Sequence, residues 1–280
     1  MTNPITTPRV VLITGAGRRI GRELALDFAR HGWRVGIHYR NSETAARQLV
    51  ADIAELGTEA AAFGADLADT AAAKNLVPEC HARLGPVTCL VNNASEFLFD
   101  SASTMTDESW AAHLDVNLKA PVFLAQALAA ALPENANGNV INIIDQRVWN
   151  LSPEFFSYTV SKAGLWSATT MLAQALAPRV RVNAIGPGPV LQSIHQTTAD
   201  FEAEQSATLL GRGTTPSEIA DAIRFILDAP SLTGQMMALD GGQHLSWAHA
   251  KSLASNTISP GPTSIGPTST VISSKHTTSR

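Results

Sequence analysis

The sequence of 280 residues is poor in cysteine and carries no excess of basic charge, and both absences exclude classes of protein. Its 2 cysteines, Cys80 and Cys89, are too few for a disulfide framework. We expect both to be small core residues of a protein in a reducing compartment. The formal net charge of −4, without a basic patch, argues against a partner that is nucleic acid.

Signals for secretion, membrane insertion and metal binding are also missing. Residues 1–8 lack the charged and then apolar pattern of a signal peptide. No apolar stretch reaches the roughly 18 residues of a membrane span, and the Ala- and Leu-rich residues 118–132 indicate a buried helix instead. The 8 histidines show no spacing typical of metal ligands. We therefore predict a cytoplasmic protein with no membrane partner and no metal.

Short apolar runs alternate with longer helical segments along most of the chain. Runs of this kind are typical of parallel strands buried on both faces, which need crossover connections. The pattern predicts a single α/β domain over residues 1–247, with a doubly wound parallel sheet of about seven strands covered by helices on both faces. Predicted strands span 10–13, 34–39, 60–63, 89–91, 140–144, 180–185 and 235–239. Predicted helices span 20–31, 42–56, 70–83, 107–132, 155–177 and 215–227, with a less regular stretch up to residue 213.

The end of the chain has a different composition. Residues 251–280 contain no Asp or Glu and consist mostly of Ser, Thr, Pro, Gly and Asn, without periodicity. This composition predicts a disordered and dispensable tail over residues 248–280.

A glycine-rich turn joins the first strand to the first helix. Glycine lets the backbone turn tightly and approach a pyrophosphate, whose charge is met by the helix N-terminus. The strand–turn–helix context favours a dinucleotide site over an ordinary turn. The residues predicted to line it are Gly15, Gly17, Arg18, Arg19, Ile20 and Gly21.

The end of the second strand indicates NADPH rather than NADH. NAD-binding proteins place an acid there for the ribose 2′-hydroxyl, whereas this chain has Arg40, which would pair with a 2′-phosphate. Arg19 is a candidate second cation for that phosphate, and a solvated surface charge is the alternative for Arg40. Further predicted cofactor contacts are His38, Tyr39, Asn41, Ser42, Asp66 and Leu67 near the adenosine half, and Asn93, Ala94, Pro187 and Gly188.

Tyr158 and Lys162 lie four residues apart, and therefore on one face of a helix. A nearby cation favours the phenolate, so we expect the pKa of Tyr158 to fall below about 10 and the phenol to donate protons more readily. The Tyr158–Lys162 spacing alone is common by chance. It becomes a specific signal together with the glycine turn, Asn92-Asn93-Ala94 and Asn117 in a preceding helix.

With these motifs in order over residues 9–245, the sequence resembles the short-chain dehydrogenase/reductase family. The resemblance implies a Rossmann-type fold, with Tyr158 as proton donor, Lys162 on the nicotinamide ribose and Asn117 in a supporting proton relay. Asp240-Gly241-Gly242 matches the family's closing motif. The resemblance also implies a homotetramer that uses the helices before and after the fifth strand.

Two departures narrow the resemblance. Arg19 stands where the family usually has glycine, and Asp145 stands thirteen residues before Tyr158, where the family usually has serine. A carboxylate would repel a developing alkoxide, but a carboxylic acid can protonate a ring nitrogen. Both departures resemble the pteridine reductase branch, including its dihydromonapterin- and dihydrofolate-reducing members, which implies that Phe97 stacks on a pterin. The substrate residues would then be Ser95, Phe97, Asp145 and Tyr158.

The predicted reaction is hydride transfer from NADPH to a C=N carbon of a dihydropterin, with protonation through Asp145, Tyr158 or a held water. Plain packing is the alternative for Phe97, and a loop cap or ion-pair partner is the alternative for Asp145. Three aromatic residues could wall the pocket or simply pack, and Arg147 could touch substrate or be an exposed loop charge. The aromatic residues are Trp149, Phe155 and Phe156. The rival functions are an NADP-dependent carbonyl reductase of ketoacyl or sugar type, and a cofactor-binding regulator without catalysis.

Overall fold

Seven parallel strands form one sheet in the computed structural model, which describes residues 9–246. The strand order is β3-β2-β1-β4-β5-β6-β7, so the chain starts in the middle and winds outward first one way and then the other. This order confirms the predicted doubly wound fold, whose topological switch lies between β1 and β4. The strands are β1 (Val10–Ile13), β2 (Arg34–Tyr39), β3 (Ala60–Gly64), β4 (Val87–Asn92), β5 (Gly138–Ile143), β6 (Val180–Pro187) and β7 (Met236–Leu239).

Helices cover both faces of the sheet and divide the core into two layers. On one face α1, α2 and α8 bury residues such as Leu24, Leu49 and Ile223, and on the other α3 and α5 bury residues such as Leu76 and Leu124. The helices are α1 (Arg19–Arg30), α2 (Glu43–Glu55), α3 (Thr70–Leu84), α4 (Asp107–Leu114), α5 (Ala120–Ala131), α6 (Phe156–Leu176), α7 (Thr198–Ser206) and α8 (Pro216–Asp228). Short 3₁₀ turns occupy Gln146–Val148 and Gln243–Leu245.

Two helical predictions need correction. The helix predicted over residues 107–132 is divided into α4 and α5 by a π-helical turn at Asp115–Lys119. The stretch predicted to be irregular contains α7, which begins with a capping box in which Thr197 and Asp200 exchange hydrogen bonds. None of the nine described residues of α7 is buried, so the apolar periodicity that revealed the other helices was missing there.

Cys80 and Cys89 are fully buried and free, as predicted for core residues. Burial raises the pKa of both thiols to about 12. Among residues 9–246, no helix is long and apolar enough to cross a membrane, and no cluster of three His, Cys, Asp or Glu side chains could hold a metal. The predictions made for residues 1–8 and for the tail from residue 248 lie outside the described residues.

Candidate active site

The glycine turn after β1 is shaped to let a ligand approach the backbone. Gly15 adopts the left-handed region with φ of 62°, and its N–H donates to Nδ1 of His38 at 3.0 Å. A Cβ at Gly21 would lie 2.5 Å from the carbonyl oxygen of Gly15, so only glycine lets α1 pack this closely on the turn. The side chain before α1, Arg18, carries only donors and cannot cap the first N–H groups of the helix. The turn therefore fits a pyrophosphate.

Asn93 and Ala94 lie against this turn, and their place beneath a cofactor stays a prediction. The hydroxyl oxygen of Thr14 accepts the N–H groups of Asn93 and Ala94 at 2.9 and 3.0 Å. The Asn93 amide donates to the carbonyl oxygen of Thr14 at 2.9 Å. These bonds tie the end of β4 to the end of β1 at the topological switch.

The side chains at the end of β2 divide into a buried and an exposed group. Burial lowers the pKa of His38 to about 4, so its neutral ring accepts from Gly15 and lies 3.1 Å from the carbonyl oxygen of Ala65. The His38 side chain therefore supports the turn from inside, and a contact of this residue with the cofactor stays a prediction. Tyr39 is half-buried against Gly64, Asn41 is exposed and Arg40 is exposed in an ion pair with Glu96. The Ser42 hydroxyl lies beside Gly17, where a Cβ would come within 2.6 Å.

Arg19, Asp66 and Leu67 have surroundings that the sequence did not indicate. Arg19 adopts φ of 55° and donates to the carbonyl oxygens of Gln192 and Leu191 at 2.9 and 3.0 Å, so its guanidinium braces the segment after β6. Its role as a second cation for the 2′-phosphate stays a prediction. Asp66 is exposed and accepts the N–H of Ala68, while the side chain of Leu67 is buried in the core and cannot face an adenine.

Tyr158 and Lys162, the predicted catalytic pair, lie on buried turns of α6, next to Asp145. The Tyr158 hydroxyl donates to Oδ2 of Asp145 at 2.9 Å. The other carboxylate oxygen, Oδ1, accepts the backbone N–H of Arg147 at 2.8 Å, which holds the carboxylate at the start of a 3₁₀ turn. The Lys162 ammonium donates to the carbonyl oxygen of Ile143 at 2.9 Å. Tyr158 and Asp145 thus form one phenol–carboxylate unit.

Electrostatics at the pair differ from the sequence-based expectation. Burial, together with the charge of Asp145 and the hydrogen bond to it, raises the pKa of Tyr158 well above its usual value, against the opposing charge of Arg147. Burial lowers the pKa of Lys162 to about 8, while Asp145 opposes the shift. The expected lowering of the Tyr158 pKa by Lys162 is wrong in this structure, because the phenol is buried and contacts the Asp145 carboxylate directly, whereas the Lys162 ammonium bonds to Ile143.

Asn117 lies in the π-helical turn and braces the loop after β4. Its Oδ1 accepts the N–H of Glu96 at 2.8 Å, and its amide donates to the carbonyl oxygen of Glu96 at 3.0 Å. The same amide donates to the Ser161 hydroxyl on α6 at 3.1 Å. π-Helical turns often lie at functional sites, where they re-aim side chains. A proton relay through Asn117 stays a prediction.

Phe97 lies directly beside the Tyr158 ring. Its ring stacks on Phe155, with centres 4.3 Å apart and planes 9° apart, and meets Tyr158 edge to face at 4.7 Å. The Arg147 guanidinium lies 5.4 Å from the centre of the Phe155 ring. Ser95 is exposed and donates to the carbonyl oxygen of Glu96. The loop after β4 thus brings an aromatic face to the phenol–carboxylate unit.

The rest of the rim comes from the ends of β5 and β6. Trp149 is half-exposed and packs against Trp166 and His244, and Phe156 is partly buried. Pro187 ends β6, and the N–H of Gly188 donates to the carbonyl oxygen of Leu239 at 3.0 Å. The Asp240-Gly241-Gly242 motif packs closely against Gly188. A Cβ added at Gly188 would lie only 2.8 Å from the Cα atom of Asp240.

Four residues around the Phe97 loop were not found from the sequence. Asp100, His113 and Ser157 are buried and hydrogen-bonded to one another, and His195 contacts the rings of Phe97 and Phe155. They come from four separate segments, and as many as 98 positions separate His195 from its hydrogen-bond partner Phe97. No local spacing could have indicated them.

Comparison with known proteins gives a family and several relatives. Residues 9–203 match the family model described as short chain dehydrogenase. The chain is 33% identical over 242 residues to a 3-oxoacyl-[acyl-carrier-protein] reductase of Synechocystis sp., covering 84% of this chain and 97% of that protein. It is 30% identical over 239 residues to a 3-oxoacyl-[acyl-carrier-protein] reductase of Staphylococcus aureus, with the same coverage of 84% and 97%.

Solved structures extend the comparison. The crystal structure of FolM alternative dihydrofolate reductase 1 from Brucella suis in complex with NADP has a TM-score of 0.84 and 46% identity, covering 86% of this chain and 97% of that chain. A blue fluorescent protein from a metagenomic library, in complex with NADPH, has a TM-score of 0.78 and 28% identity, covering 84% of this chain and 97% of that chain. The relatives therefore include proteins named for a dihydrofolate and for a carbonyl substrate.

Proposed function

Because the chain belongs to the short-chain dehydrogenase family, we propose that it reduces a dihydropterin of the dihydrobiopterin, dihydromonapterin or dihydrofolate class. The enzyme is an NADP-dependent oxidoreductase. The observation that carries the proposed substrate is the hydrogen bond of 2.9 Å from the Tyr158 hydroxyl to Asp145.

A carboxylate beside the catalytic phenol suits a ring nitrogen better than a carbonyl oxygen. Reduction of a carbonyl builds negative charge on oxygen, which a neighbouring carboxylate would destabilise. Reduction of a C=N bond leaves a nitrogen that must be protonated, and a phenol–carboxylate unit can deliver a proton there. Asp145 therefore favours pterin reduction over carbonyl reduction.

The residues at the switch of the sheet fit NADPH. The first turn of α1 would meet the pyrophosphate, Arg40 the 2′-phosphate and Lys162 the nicotinamide ribose. When bound, the cofactor supplies the hydride that a C=N carbon accepts. The proton for the adjacent nitrogen passes through Tyr158, Asp145 or a water that they hold. Asp145 keeps the phenol hydroxyl oriented by accepting its hydrogen bond.

Phe97 supplies the aromatic contact that a flat substrate needs. Its ring lies 4.7 Å from that of Tyr158, centre to centre, so a pterin stacked near it would place its reacting edge close to the proton donor. By analogy with aromatic pairs, such stacking would contribute about 0.5–1.5 kcal/mol beyond the burial of surface area.

The relatives support the same choice without deciding it. Identity to the Brucella suis dihydrofolate reductase is 46%, compared with 33% for the 3-oxoacyl reductase of Synechocystis sp.. The reductases of 3-oxoacyl groups make carbonyl reduction the second candidate function. The Asp145 carboxylate beside Tyr158 argues against that candidate.

A substrate panel tests the proposal directly. NADPH oxidation is followed with the full chain and dihydrobiopterin, dihydromonapterin or dihydrofolate, beside a 3-oxoacyl thioester and simple ketones. We expect at least one dihydropterin to give a higher kcat/KM than every carbonyl compound. Turnover of carbonyl compounds alone would overturn the proposal.

We further propose that the enzyme is a cytoplasmic homotetramer. Val160 and Met171 are exposed apolar residues on α6, which follows the fifth strand and is one of the two helices that the family resemblance places at an interface. Exposed apolar residues on one helix are typical of surfaces that are covered by another subunit.

A further inference from the structure

The peptide unit that follows Phe97 is held by two histidines. The N–H of Leu98 donates to Nε2 of His113 on α4 at 3.0 Å. The carbonyl oxygen of Phe97, at the opposite edge of the same peptide, lies 3.0 Å from Nε2 of His195. Because this peptide is bonded directly to Cα of Phe97, fixing it restricts where the Phe97 ring can point.

The partners of His113 determine which ring nitrogen carries its proton. A backbone N–H can only donate, so Nε2 of His113 must accept from Leu98 and the proton of the neutral ring is on Nδ1. Nδ1–H then donates to the Ser157 hydroxyl at 2.6 Å, and that hydroxyl donates to the Asp100 carboxylate. All three side chains are buried, so the network has a single direction of donation.

Asp100 connects this network to the start of the catalytic helix. The residue before α6, Phe155, has no side-chain oxygen for a cap. Oδ1 of Asp100 instead accepts the N–H of Ser157 at 3.0 Å, and the backbone carbonyl oxygen of Asp100 accepts the N–H of Phe156 at 3.3 Å. Burial would raise the pKa of Asp100, but hydrogen bonds from Ser157 and Ser109 hold it below its usual value, so the carboxylate stays ionised.

We propose that His113 is a positioning residue for the substrate, which acts through Leu98, Ser157 and Asp100 to fix the Phe97 ring relative to Tyr158. One end of the network is the loop that carries Phe97, and the other is the N-terminus of the helix that carries Tyr158, whose ring centre is 5.9 Å from that of His113. The proposal rests on the proposed function in that Phe97 is taken as the ring on which the substrate stacks.

Protonation of His113 would break the network. An imidazolium carries N–H on both nitrogens, so its Nε2 would face the Leu98 N–H as donor against donor. Burial lowers the pKa of His113 below its usual value, and the Lys162 charge acts in the same direction. The charges of Asp100 and Glu96 oppose that shift. The bond to Leu98 is therefore present at neutral pH and is lost only in acid.

Two substitutions separate the two bonds of His113. In H113Q the side-chain amide oxygen can occupy the former place of Nε2 and accept the Leu98 N–H. In H113N the shorter side chain can still donate its amide N–H to Ser157, but it has no atom that reaches the Leu98 N–H. We expect H113N to raise KM for the dihydropterin about tenfold, as for the loss of one hydrogen bond, with NADPH affinity unchanged. H113Q should keep KM near the wild-type value. Equal changes of KM in the two variants would overturn the proposal.

Hydrogen exchange at the Leu98 amide provides a test without any substrate. In the NADPH-bound full chain we expect Leu98 to be protected in the wild type and in H113Q, and to exchange faster in H113N. In the wild type, which needs no substitution and so cannot fail to fold, the protection factor of Leu98 should fall on acidification more than that of the buried strand residue Val91. Equal protection of Leu98 in all three proteins, or protection unaffected by acid, would overturn the proposal.

The two measurements distinguish failure of this inference from failure of the proposed function. If the wild-type enzyme turns over no dihydropterin, the proposed substrate is wrong, and exchange at Leu98 still decides whether His113 fixes the loop. If dihydropterins are reduced but exchange and KM do not separate H113N from H113Q, the proposed function stands and the positioning role fails.

Discussion

Asp145 changes what the Tyr158–Lys162 pair can do. With the phenol donating to a carboxylate at 2.9 Å, the proton donor that we propose is a two-residue unit rather than an isolated tyrosine. After burial, the carboxylate also contributes to a Tyr158 pKa well above its usual value, so the phenol is protonated at neutral pH. In the proposed function, the identity of this one residue selects the class of substrate.

Asp145→Ser should lower kcat for dihydropterin reduction by about 10²- to 10³-fold, the usual contribution of a proton-transfer group. The dissociation constant of NADPH should hardly change, because Asp145 bonds to Tyr158 and Arg147 and not to the glycine turn. Stopped-flow oxidation of NADPH and fluorescence titration measure the two quantities. Asp228→Ser, an exposed acid at the end of α8, is the control. An unchanged kcat in the Asp145 variant would contradict the assigned role.

Arg40→Asp should weaken NADPH binding by about 10- to 100-fold, the loss expected for a charge-assisted hydrogen bond, and NADH binding much less. In the structure Arg40 is paired with Glu96, so Glu96→Gln should act in the opposite direction and strengthen NADPH binding by freeing the guanidinium. Fluorescence titration with both cofactors checks the pair of variants. Equal losses for NADPH and NADH in the Arg40 variant would remove the argument for cofactor choice.

Lys162 predicts a pH dependence of cofactor binding. Burial lowers its pKa to about 8, so the ammonium that would hold the nicotinamide ribose is present below that pH and is lost above it. The dissociation constant of NADPH should therefore rise as pH increases through about 8. Lys162→Met should bind NADPH more weakly and without this dependence, and Lys119→Met, at a partly exposed position, should keep it. A wild-type constant that stays flat across this range would contradict the prediction.

At the scale of elements, the start of α8 follows the local signal in the sequence. Thr215 accepts the N–H of Glu218 at 3.2 Å, and the Glu218 carboxylate accepts the N–H of Thr215 at 2.8 Å, which forms a capping box with Pro216 at the first turn. Arg212 adds an ion pair to Glu218 at 2.6 Å. Thr215, Pro216 and Glu218 were enough to predict this helix start, because the capping bonds join residues within one turn.

Thr215→Ala should destabilise the protein by about 1 kcal/mol and lower Tm by about 2–4 °C, because the first turn of α8 loses its cap. Thermal unfolding followed by circular dichroism measures the change, and Ser217→Ala in the same turn should leave Tm nearly unchanged. Hydrogen bonds from Arg212 and Thr215 lower the pKa of Glu218 to about 2. The contribution of Glu218 is thus complete above its usual pKa and is lost as pH falls toward about 2.

Other elements show where sequence patterns stop being informative. The strands were found because apolar runs mark burial on both faces of a parallel sheet. The break between α4 and α5 was not, because the apolar pattern runs on through the π-helical turn at Asp115–Lys119. α7 has a capping box at Thr197 and Asp200 but no buried face, so its sequence shows the start of a helix without the apolar periodicity that marks the rest of one.

At the scale of the whole molecule, the sheet order gathers the site from distant parts of the chain. β1 lies between β2 and β4, so the glycine turn, Arg40 and Asn93 come to one edge of the sheet. The carboxyl ends of β5 and β6, which lie beyond β4, bring Asp145 and Pro187 to the same side of the sheet. This convergence at the carboxyl ends of parallel strands is the general position of ligands in such folds.

The predicted tetramer can be tested through α6. Met171 is 60% exposed on this helix, so burying a charge there in an interface would be costly. Met171→Glu should dissociate the assembly into smaller species, whereas Leu56→Glu, at an exposed position after α2, should not. Light scattering after size exclusion gives the mass of each variant. A wild-type mass of one chain would refute the tetramer.

The sequence by itself determined the alternating fold, the glycine turn, the Tyr158–Lys162 pair and the departure at Asp145. Each of these is a local pattern, set by burial periodicity or by a spacing within one element. Only the tertiary structure decided that His38 turns inward, that Arg19 braces the segment after β6 and that His113 holds the loop of Phe97. These contacts join residues from separate elements, and their partners depend on how the elements pack rather than on what stands nearby in the chain.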